Sequence, residues 1–270
     1  MTEAAEKETK DVKVTSWNVN GLRAILKKDV GGTKQDKQLA ISVLQTLLTK
    51  ENPDFLCLQE IKCSADFCWV PEGYPYTYAN YSTDKKGYSG VLIASKIKPL
   101  DGSIGLAGIT ESEGRVITVE FEKYVLINVY SPNTGSGRKD YRIKQWEPAL
   151  RAHIKTWSEK GKPVILVGDL NCVGSSLDIG TSYLMAGMSS EEIFAFNTLL
   201  KECAMVDTFR MLHPTAQKYT WMDPKLRRYN KGARIDFALF SAAWKDRVKV
   251  SDMLDYPGSD HVPLVLTFSA

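Results

Sequence analysis

Short apolar runs, rich in β-branched and aromatic residues, recur along most of the chain, and charged or turn residues cut each one off. They fall at residues 12–17, 55–58, 90–94, 116–121, 125–130, 164–167, 235–240 and 262–268. Most have the usual length of a β-strand. Strands in this number exceed what one small sheet holds. Between them lie helical patterns. Residues 36–50 put Ala40, Val43, Leu44, Leu47 and Leu48 on one stripe, and residues 140–158 space Ile143, Trp146, Leu150, Ile154 and Trp157 by threes and fours. That is the period of an amphipathic helix. Pro148, inside the second pattern, either kinks the helix or marks its true first turn. A third helix is expected from Ser189, where Ser-Ser-Glu-Glu offers a capping box closed by Glu192, ahead of Ile193, Phe196, Leu199 and Leu200. Strands alternating with helices predict an α/β or α+β layered protein. Two packed sheets with helices outside is the preferred arrangement.

Composition removes other classes. Hydrophobic residues are 43% and charged residues 25% of 270, near the globular average, so a disordered, collagen-like or coiled-coil chain is excluded. No stretch approaches the roughly 18 apolar residues that span a bilayer, so no membrane association is expected. Repeats and linker-like segments are absent, which predicts one domain over residues 12–270 behind a polar, disordered tail at 1–11. Lys plus Arg is 35 against 32 Asp plus Glu, a net +3. A nucleic-acid partner would therefore need its basic residues concentrated locally. The cysteines are Cys57, Cys63, Cys68, Cys172 and Cys203, an odd number without a secretory segment after Met1. A reducing intracellular compartment follows, the nucleus in a eukaryote and otherwise the cytoplasm. Zinc is disfavoured, because His153, His213 and His261 are all far in sequence from Cys63 and Cys68.

Polar groups abut the ends of the apolar runs, the usual way a rigid scaffold presents a site. Asn18 and Asn20 follow the first run, Glu60 the second, Tyr130 closes the fifth, Asn133 follows it, and Asp169 and Asn171 follow the sixth. Asp236 lies in the seventh, and Asp260 and His261 precede the last. Glu60, Asp169 and Asp260 are hard oxygen ligands suited to Mg²⁺. Asn18, Asn20 and Asn171 add neutral oxygens and amide donors. Asp236 can orient His261 and fix its tautomer. A carboxylate-held metal, a carboxylate beside an attacking water and a His or Tyr at phosphate oxygens describe phosphate-ester hydrolysis. Singly, an Asp or Asn after a strand is more often a turn residue, and Tyr130 alone reads as a half-buried strand aromatic. Their joint occurrence in order favours a site.

Ser16-Trp-Asn-Val-Asn-Gly-Leu-Arg23, Leu58-Gln-Glu-Ile-Lys62, Gly87-Tyr-Ser-Gly-Val91, Glu113-Gly-Arg115, Asn128-Val-Tyr-Ser-Pro-Asn133, Gly168-Asp-Leu-Asn171, Arg234-Ile-Asp-Phe237 and Ser259-Asp-His261 resemble the exonuclease III family of apurinic/apyrimidinic endonucleases. The resemblance runs from about residue 12 to the C-terminus. The Gly-Asp-x-Asn and Ser-Asp-His elements are shared with the wider endonuclease/exonuclease/phosphatase superfamily, including deoxyribonuclease I and inositol-phosphate phosphatases. The resemblance implies a deoxyribonuclease I-like four-layer sandwich of two mixed β-sheets flanked by helices. It implies Mg²⁺-dependent cleavage of duplex DNA on the 5′ side of an abasic site, with Mn²⁺ as a substitute metal, 3′-5′ exonuclease and 3′-end-cleaning activity, and a monomer. Glu60 would be the main metal ligand, in a shell drawn from Asn18, Asn20, Asp169, Asn171, Asp260 and His261. Asp169 would activate the attacking water or protonate the leaving 3′-oxygen, and Asn171 would hold that water. Tyr130, Asn133 and His261 would grip the phosphate, with Asp236 bracing His261. Lys62, Tyr88, Arg115, Asn133 and Arg138 would contact DNA.

The sequence departs from that pattern in places. Trp221 and Ile235 fit two apolar walls of an abasic-sugar pocket, but the third wall, usually a Trp, is Ala233. A wider pocket is expected, with room for a bulkier flipped nucleotide. Residues 172–188 contain no Lys or Arg, so that loop is expected to be a weak DNA contact. Basic charge gathers instead at Lys225, Arg227, Arg228, Lys231 and Arg234, around Tyr229. Beside a nuclease site this reads as a phosphate-tracking surface with salt-dependent binding. Thr15 stands where mammalian members carry a redox-linked cysteine, so no redox activity is carried over. A different phosphoesterase of the superfamily and a non-enzymatic DNA-binding relative are the competing functions. Activity on inositol phosphates would favour the first, and loss of the carboxylates the second.

Overall fold

Strands form where the apolar runs lie, and the runs are continuous because both faces of the central strands are buried. The structure, a computed structural model, describes residues 10–27, 42–67, 69–180, 189–223, 225, 229 and 231–270. In chain order the strands are β1 (Asp11–Asn18), β2 (Phe55–Gln59), β3 (Tyr76–Asn80), β4 (Val91–Ser95), β5 (Asp101–Ile104), β6 (Val116–Glu120), β7 (Val125–Tyr130), β8 (Val164–Asp169), β9 (Met205–Asp207), β10 (Trp221–Met222), β11 (Gly232–Ala233), β12 (Asp236–Ser241), β13 (Val248–Met253) and β14 (Leu264–Ser269). They make two six-stranded sheets, ordered β13-β14-β1-β2-β4-β3 and β5-β6-β7-β8-β12-β9, plus a ribbon of β10 and β11. Both large sheets are mixed. β1 pairs parallel with β2 and antiparallel with β14, and β8 pairs parallel with β7 and antiparallel with β12.

Alternation along each strand sends side chains into two different cores. Phe55 and Cys57 of β2 enter the core between the sheets, where they meet Leu126 of β7, Ile165 and Val167 of β8, and Phe240 of β12. Leu56 and Leu58 of the same strand face outward, under Leu22 and Ile25 of α1 (Leu22–Ile25) and Leu44 and Leu47 of α2 (Val43–Glu51). On the far side, Val164 and Leu166 of β8 lie under Leu150 and Ile154 of α4 (Glu147–Glu159) and Phe196 and Leu199 of α5 (Ser190–Glu202). Each such fully buried side chain contributes about 1.5–3 kcal/mol relative to exposure. The result is the expected four-layer α/β sandwich.

The helix boundaries follow their chemistry. Ser42 caps α2 by accepting from Gln45 N, and Asn52 ends it in left-handed backbone ahead of Pro53. The part of the expected stripe at residues 36–41 lies outside the described residues. The Ser189–Glu192 capping box is present as expected and opens α5. Pro148 sits in the first turn of α4, directly after a π-helical turn at Arg142–Trp146 that continues the short helix α3 (Lys139–Tyr141). The wide turn precedes a residue that cannot donate and whose ring crowds the preceding turn, so Pro148 marks the start of α4 within a longer helical stretch. Residues 1–9 of the expected tail lie outside the described residues, and Asp11 already pairs with Ser269 in β1.

Near one end of the sandwich the two sheets are joined by a buried polar link. Asn128 of β7 donates to Leu58 O (3.0 Å) and Leu92 O (2.9 Å) of the opposite sheet and accepts from Gln59 Nε2 (2.7 Å). An amide buried this deeply is tolerated only with its partners in place, so the link fixes the relative register of the sheets next to the site described below. Among the described residues, no helix is long and apolar enough to cross a membrane.

Candidate active site

Strand register carries the polar residues to one rim. Asn18 is level with Gln59, so Glu60 leaves β2 beside it; Tyr130 is level with Asp169, and Asp169 with Asp236. An isolated bridge from Trp221 to His261 brings the Ser-Asp-His segment to the same place. Asn18 is the hinge of this arrangement. Its amide nitrogen donates to Glu60 Oε1 (3.0 Å) and to Asp169 Oδ2 (2.8 Å), while its oxygen accepts from Asn20 N (3.0 Å). Asn20 Nδ2 donates to Asp260 Oδ1 (2.9 Å), and Trp221 Nε1 donates to Asp260 Oδ2 (3.2 Å). Glu60, Asp169 and His261 each offer a ligand atom within 4.8 Å of the others.

The loops that carry these groups are held in unusual conformations. Asn20, Glu60, Lys62 and Asn171 all have left-handed backbone, with φ between 47° and 49°. Such residues cost free energy and persist only where neighbours over-determine them. For Asn171 those neighbours are visible: its backbone N–H donates to Asp169 Oδ1 (2.8 Å), its side chain donates to Ser131 O (2.8 Å), and its amide oxygen accepts from Asn133 Nδ2 (3.1 Å). The buried Arg142 guanidinium fixes both loops from behind. It donates to Pro132 O and Leu170 O, 2.7 Å each, and its charge is met by Glu147 at 2.6 Å.

His261 Nδ1 lies 2.7 Å from Asp236 Oδ2, and its Nε2 lies 3.9 Å from Asp169 Oδ2. Burial alone would depress the imidazole. The Asp236 charge and hydrogen bond, helped by Asp169 and Asp260, outweigh it and raise His261 to about 10. Burial pushes Asp169 up to about 7, and Asp236 adds to the rise, against the opposing pull of His261 and the Asn171 and Asn18 donors. Burial also works to raise Glu60, but hydrogen bonds from Asn18 and Lys62 prevail and hold it below the usual range. Tyr130 hydrogen-bonds Glu60, and burial, reinforced by the Glu60 and Asp169 charges, keeps its phenol protonated. The rim thus sets Glu60, held in its ionised form, beside an Asp169 carboxyl raised toward neutrality and a His261 imidazole raised toward its charged form.

The expected DNA-contact residues divide. Lys62 points into the rim and pairs with Glu60 at 2.8 Å. Tyr88 is half-buried, and Arg138 pairs with Glu113 through both ends of its guanidinium, at 3.0 and 2.8 Å. Arg115 is a correction. Its side chain is 1% exposed, and it donates to Glu113 Oε2, Tyr130 O and Tyr88 Oη while its guanidinium lies 4.6 Å from the Tyr130 ring centroid. It supports Tyr130 and has no face left for phosphate. Arg234 is a second correction: it is 1% exposed and pairs with Asp178 (2.7 Å) and Asp207 (2.6 Å), so it leaves the basic surface. Lys225 and Lys231 are exposed, and Arg227 and Arg228 lie outside the described residues.

Trp221, Ala233 and Ile235 do come together, in an apolar cluster with Val173, Ile179 and Ile193. Ala233, 1% exposed, and Val173 are its buried members, while Trp221 and Ile235 are partly exposed. Three supporting residues escaped the sequence reading. Thr220 Oγ1 accepts from Asp236 N and Ile235 N (3.0 Å each), Ser259 Oγ donates to Asn18 O (2.7 Å), and Glu113 gathers the two arginines. Ser259 and Glu113 stand inside quoted motifs, so position beside a known group was the available signal. Thr220 had only its place before Trp221.

A model of the endonuclease/exonuclease/phosphatase family matches residues 15–261. The chain belongs to this family. Within the family it is 39% identical over 267 residues to an exodeoxyribonuclease of Bacillus subtilis, covering 94% of this chain and 98% of the relative. It is 37% identical over 271 residues to the DNA repair nuclease APEX1 of Danio rerio, covering 95% and 82%. An AP endonuclease structure from Leishmania major shares the fold with a TM-score of 0.82 and 26% identity, covering 100% of this chain and 91% of that one. A 3′-5′ exonuclease structure from Neisseria meningitidis gives 0.78 and 28%, covering 96% and 100%. These relatives put this member of the endonuclease/exonuclease/phosphatase family in its exonuclease III-type branch of metal-dependent DNA repair nucleases.

Proposed function

We propose that the chain is a Mg²⁺-dependent phosphodiesterase that incises duplex DNA on the 5′ side of abasic sites and also trims 3′ ends. The observation that carries the reading is Asp169, buried on the rim between the Asn18 amide and the His261 imidazolium, beside the ionised Glu60. The donor set fits a hard cation, because Glu60, Asp169 and Asp260 are carboxylates and the nearby neutral groups are amides. Glu60 and Asp169, with Asn18, Asn20 and Asp260 around them, would hold it. When bound, the metal supplies positive charge to phosphate oxygens as negative charge develops there. His261 is assigned to the phosphate instead, since an imidazolium has no lone pair for a metal. Asn171 is assigned to the attacking water, because its amide is already oriented by Ser131 and Asn133.

The residues then divide the work. His261 presents a hydrogen-bond donor to the phosphate from a fixed position, so it needs no reorganisation as charge builds; Tyr130, kept protonated, would redirect its one O–H from Glu60 to the phosphate. Asp169 takes the proton of the attacking water. A carboxylate raised toward neutrality is matched to that task. Arg138, Tyr88, Lys225 and Lys231 contact the duplex backbone, which predicts binding that weakens as salt rises. Trp221 and Ile235 receive the flipped abasic sugar. End trimming at blocked 3′ termini is the same hydrolysis on a different leaving group, and one structure of similar fold is a 3′ phosphatase from Neisseria bound to a product DNA hairpin.

The pH dependence has a defined sign. Asp169 must be deprotonated to act as base, so activity rises through its pKa of about 7, or lower once a cation neutralises its surroundings. His261 must be protonated to donate, so activity falls as pH passes its value of about 10. Asp236→Asn removes the main charge that raises His261. The alkaline limb in that variant is expected to move down by at least about two pH units, toward an ordinary imidazole. An unmoved alkaline limb in a pH–rate profile of Asp236→Asn would contradict the assignment of His261.

Ala233→Trp is expected to raise the preference for abasic over intact 3′-terminal nucleotides by about tenfold, the scale of a filled apolar subsite. The ratio of kcat/KM values on the two substrates measures it. An unchanged ratio removes Ala233 as the determinant of selectivity.

A further inference from the structure

Lys62 already places a cation at the carboxylate rim. Its ammonium is 2.8 Å from Glu60 Oε2 and also donates to Asn20 Oδ1. Both oxygens belong to the donor set assigned above to the metal. The placement is built in. Glu60 and Lys62 hold left-handed backbone at φ 48° and 49°, conformations a residue with a Cβ adopts only under constraint. The constraint is a row of backbone bonds: Gly21 N to Glu60 O (2.8 Å), Leu22 N to Ile61 O (2.9 Å), Ile61 N to Gly90 O (3.1 Å) and Lys62 N to Ser89 O (2.9 Å). Ile61 between them is buried. The Lys62 side chain is 34% exposed, so its flexible stem has a path out to solvent.

The charges at the rim pair off accordingly. His261 contacts Asp236 and lies near Asp169, while Lys62 contacts Glu60. An ammonium and a divalent cation sharing Glu60 Oε2 and Asn20 Oδ1 repel one another across those oxygens. Metal binding there therefore works against Lys62 and favours its ammonium turning toward solvent. Resting on the metal-dependent reading above, we propose that Lys62 is an internal counter-cation of the carboxylate site, which keeps Glu60 neutralised before metal binds and lowers the affinity of the site for metal. Lys62 acts through Glu60 and is in that sense a positioning residue.

The test is Mn²⁺ binding to the whole chain without DNA, followed by calorimetry and by the electron paramagnetic resonance signal of the free ion. Wild type, Lys62→Met, Lys62→Arg and Glu60→Gln are compared. Lys62→Met is expected to bind Mn²⁺ about three- to fivefold more tightly than wild type, the upper scale of one partly exposed ion pair. Lys62→Arg, which keeps the charge, is expected to stay within about twofold of wild type. In EDTA, Lys62→Met is expected to melt below wild type, because Glu60 loses its partner. If Lys62→Met does not fold, Lys62→Gln gives the same reading. Equal or weaker binding by the folded charge-removed variant overturns the proposal while leaving the metal reading intact. Absence of Mn²⁺ binding in both wild type and the charge-removed variant, or undiminished binding by Glu60→Gln, overturns the metal reading and this proposal with it.

Discussion

Replacing Asp169 with asparagine is expected to slow single-turnover DNA cleavage by about 10²–10⁴-fold, the range lost with a positioned general base, while leaving the protein folded. The stability half of this expectation follows from linkage. Asp169 is raised from 3.8 to about 7 by burial and by Asp236, so the folded state binds a proton that the unfolded state has released. Folding stability at this residue is then highest below about pH 4 and declines as pH rises through about 7. Asparagine carries no such titration. Measured in EDTA, the melting temperature of Asp169→Asn minus that of wild type is therefore expected to increase between pH 4 and pH 8. A residue that costs stability in its working form is what a catalytic role looks like. A variant that retains near-wild-type cleavage would remove Asp169 as the base. A melting difference that falls with rising pH would mean the carboxylate is stabilised by its surroundings.

Glu60→Ala is expected to lower metal-dependent cleavage by about 10²–10³-fold, which corresponds to losing several kcal/mol of charge stabilisation at the phosphate. Glu60 Oε1 accepts from Asn18, Oε2 pairs with Lys62, and the Tyr130 phenol also bonds this carboxylate. Truncation therefore removes the main ligand proposed for the metal and loosens the tyrosine assigned to the phosphate together. Raising the Mg²⁺ concentration should recover part of the loss, because Asp169 and the amides remain. Cleavage that survives both this substitution and EDTA is incompatible with a metal held at this rim.

The central strands were legible in the sequence, and the sheet edges were not. β3 and β13 border one sheet, and β5 and β9 border the other; all four lay outside the recognised runs. An edge strand is paired on one side only and exposes more of itself. β5 reads Asp-Gly-Ser-Ile and is mostly exposed, and β13 alternates Val248 with Lys249 beside polar Ser251 and Asp252. No continuous apolar run marks such a segment. β2, β7 and β8, buried on both faces, could hardly be missed. The rim residues were legible for a related reason. A polar group next to a fully buried strand lands at the strand's end, and register then gathers Asn18, Glu60, Tyr130, Asp169 and Asp236 at one rim.

Cations were harder to read. Arg115, Arg142 and Arg234 are all fully buried and are met by Glu113, Glu147 and the Asp178–Asp207 pair. Sequence gives the charge of an arginine but not the direction of its guanidinium, and the planar fork suits a buried carboxylate as well as a phosphate. The local +5 around Tyr229 was therefore overcounted by at least Arg234. The net charge of +3 divides between ion pairs inside the fold and exposed groups such as Lys225 and Lys231.

The most direct measurement is incision of a duplex carrying one abasic analogue, run beside matched intact and 3′-blocked duplexes, in Mg²⁺ and in EDTA. The expected result is a single nick on the 5′ side of the analogue, leaving a 3′-hydroxyl, formed in Mg²⁺ and absent in EDTA, with slower loss of nucleotides from the intact end. Cleavage that persists in EDTA, or an abasic duplex left whole while inositol phosphates are hydrolysed, would contradict it.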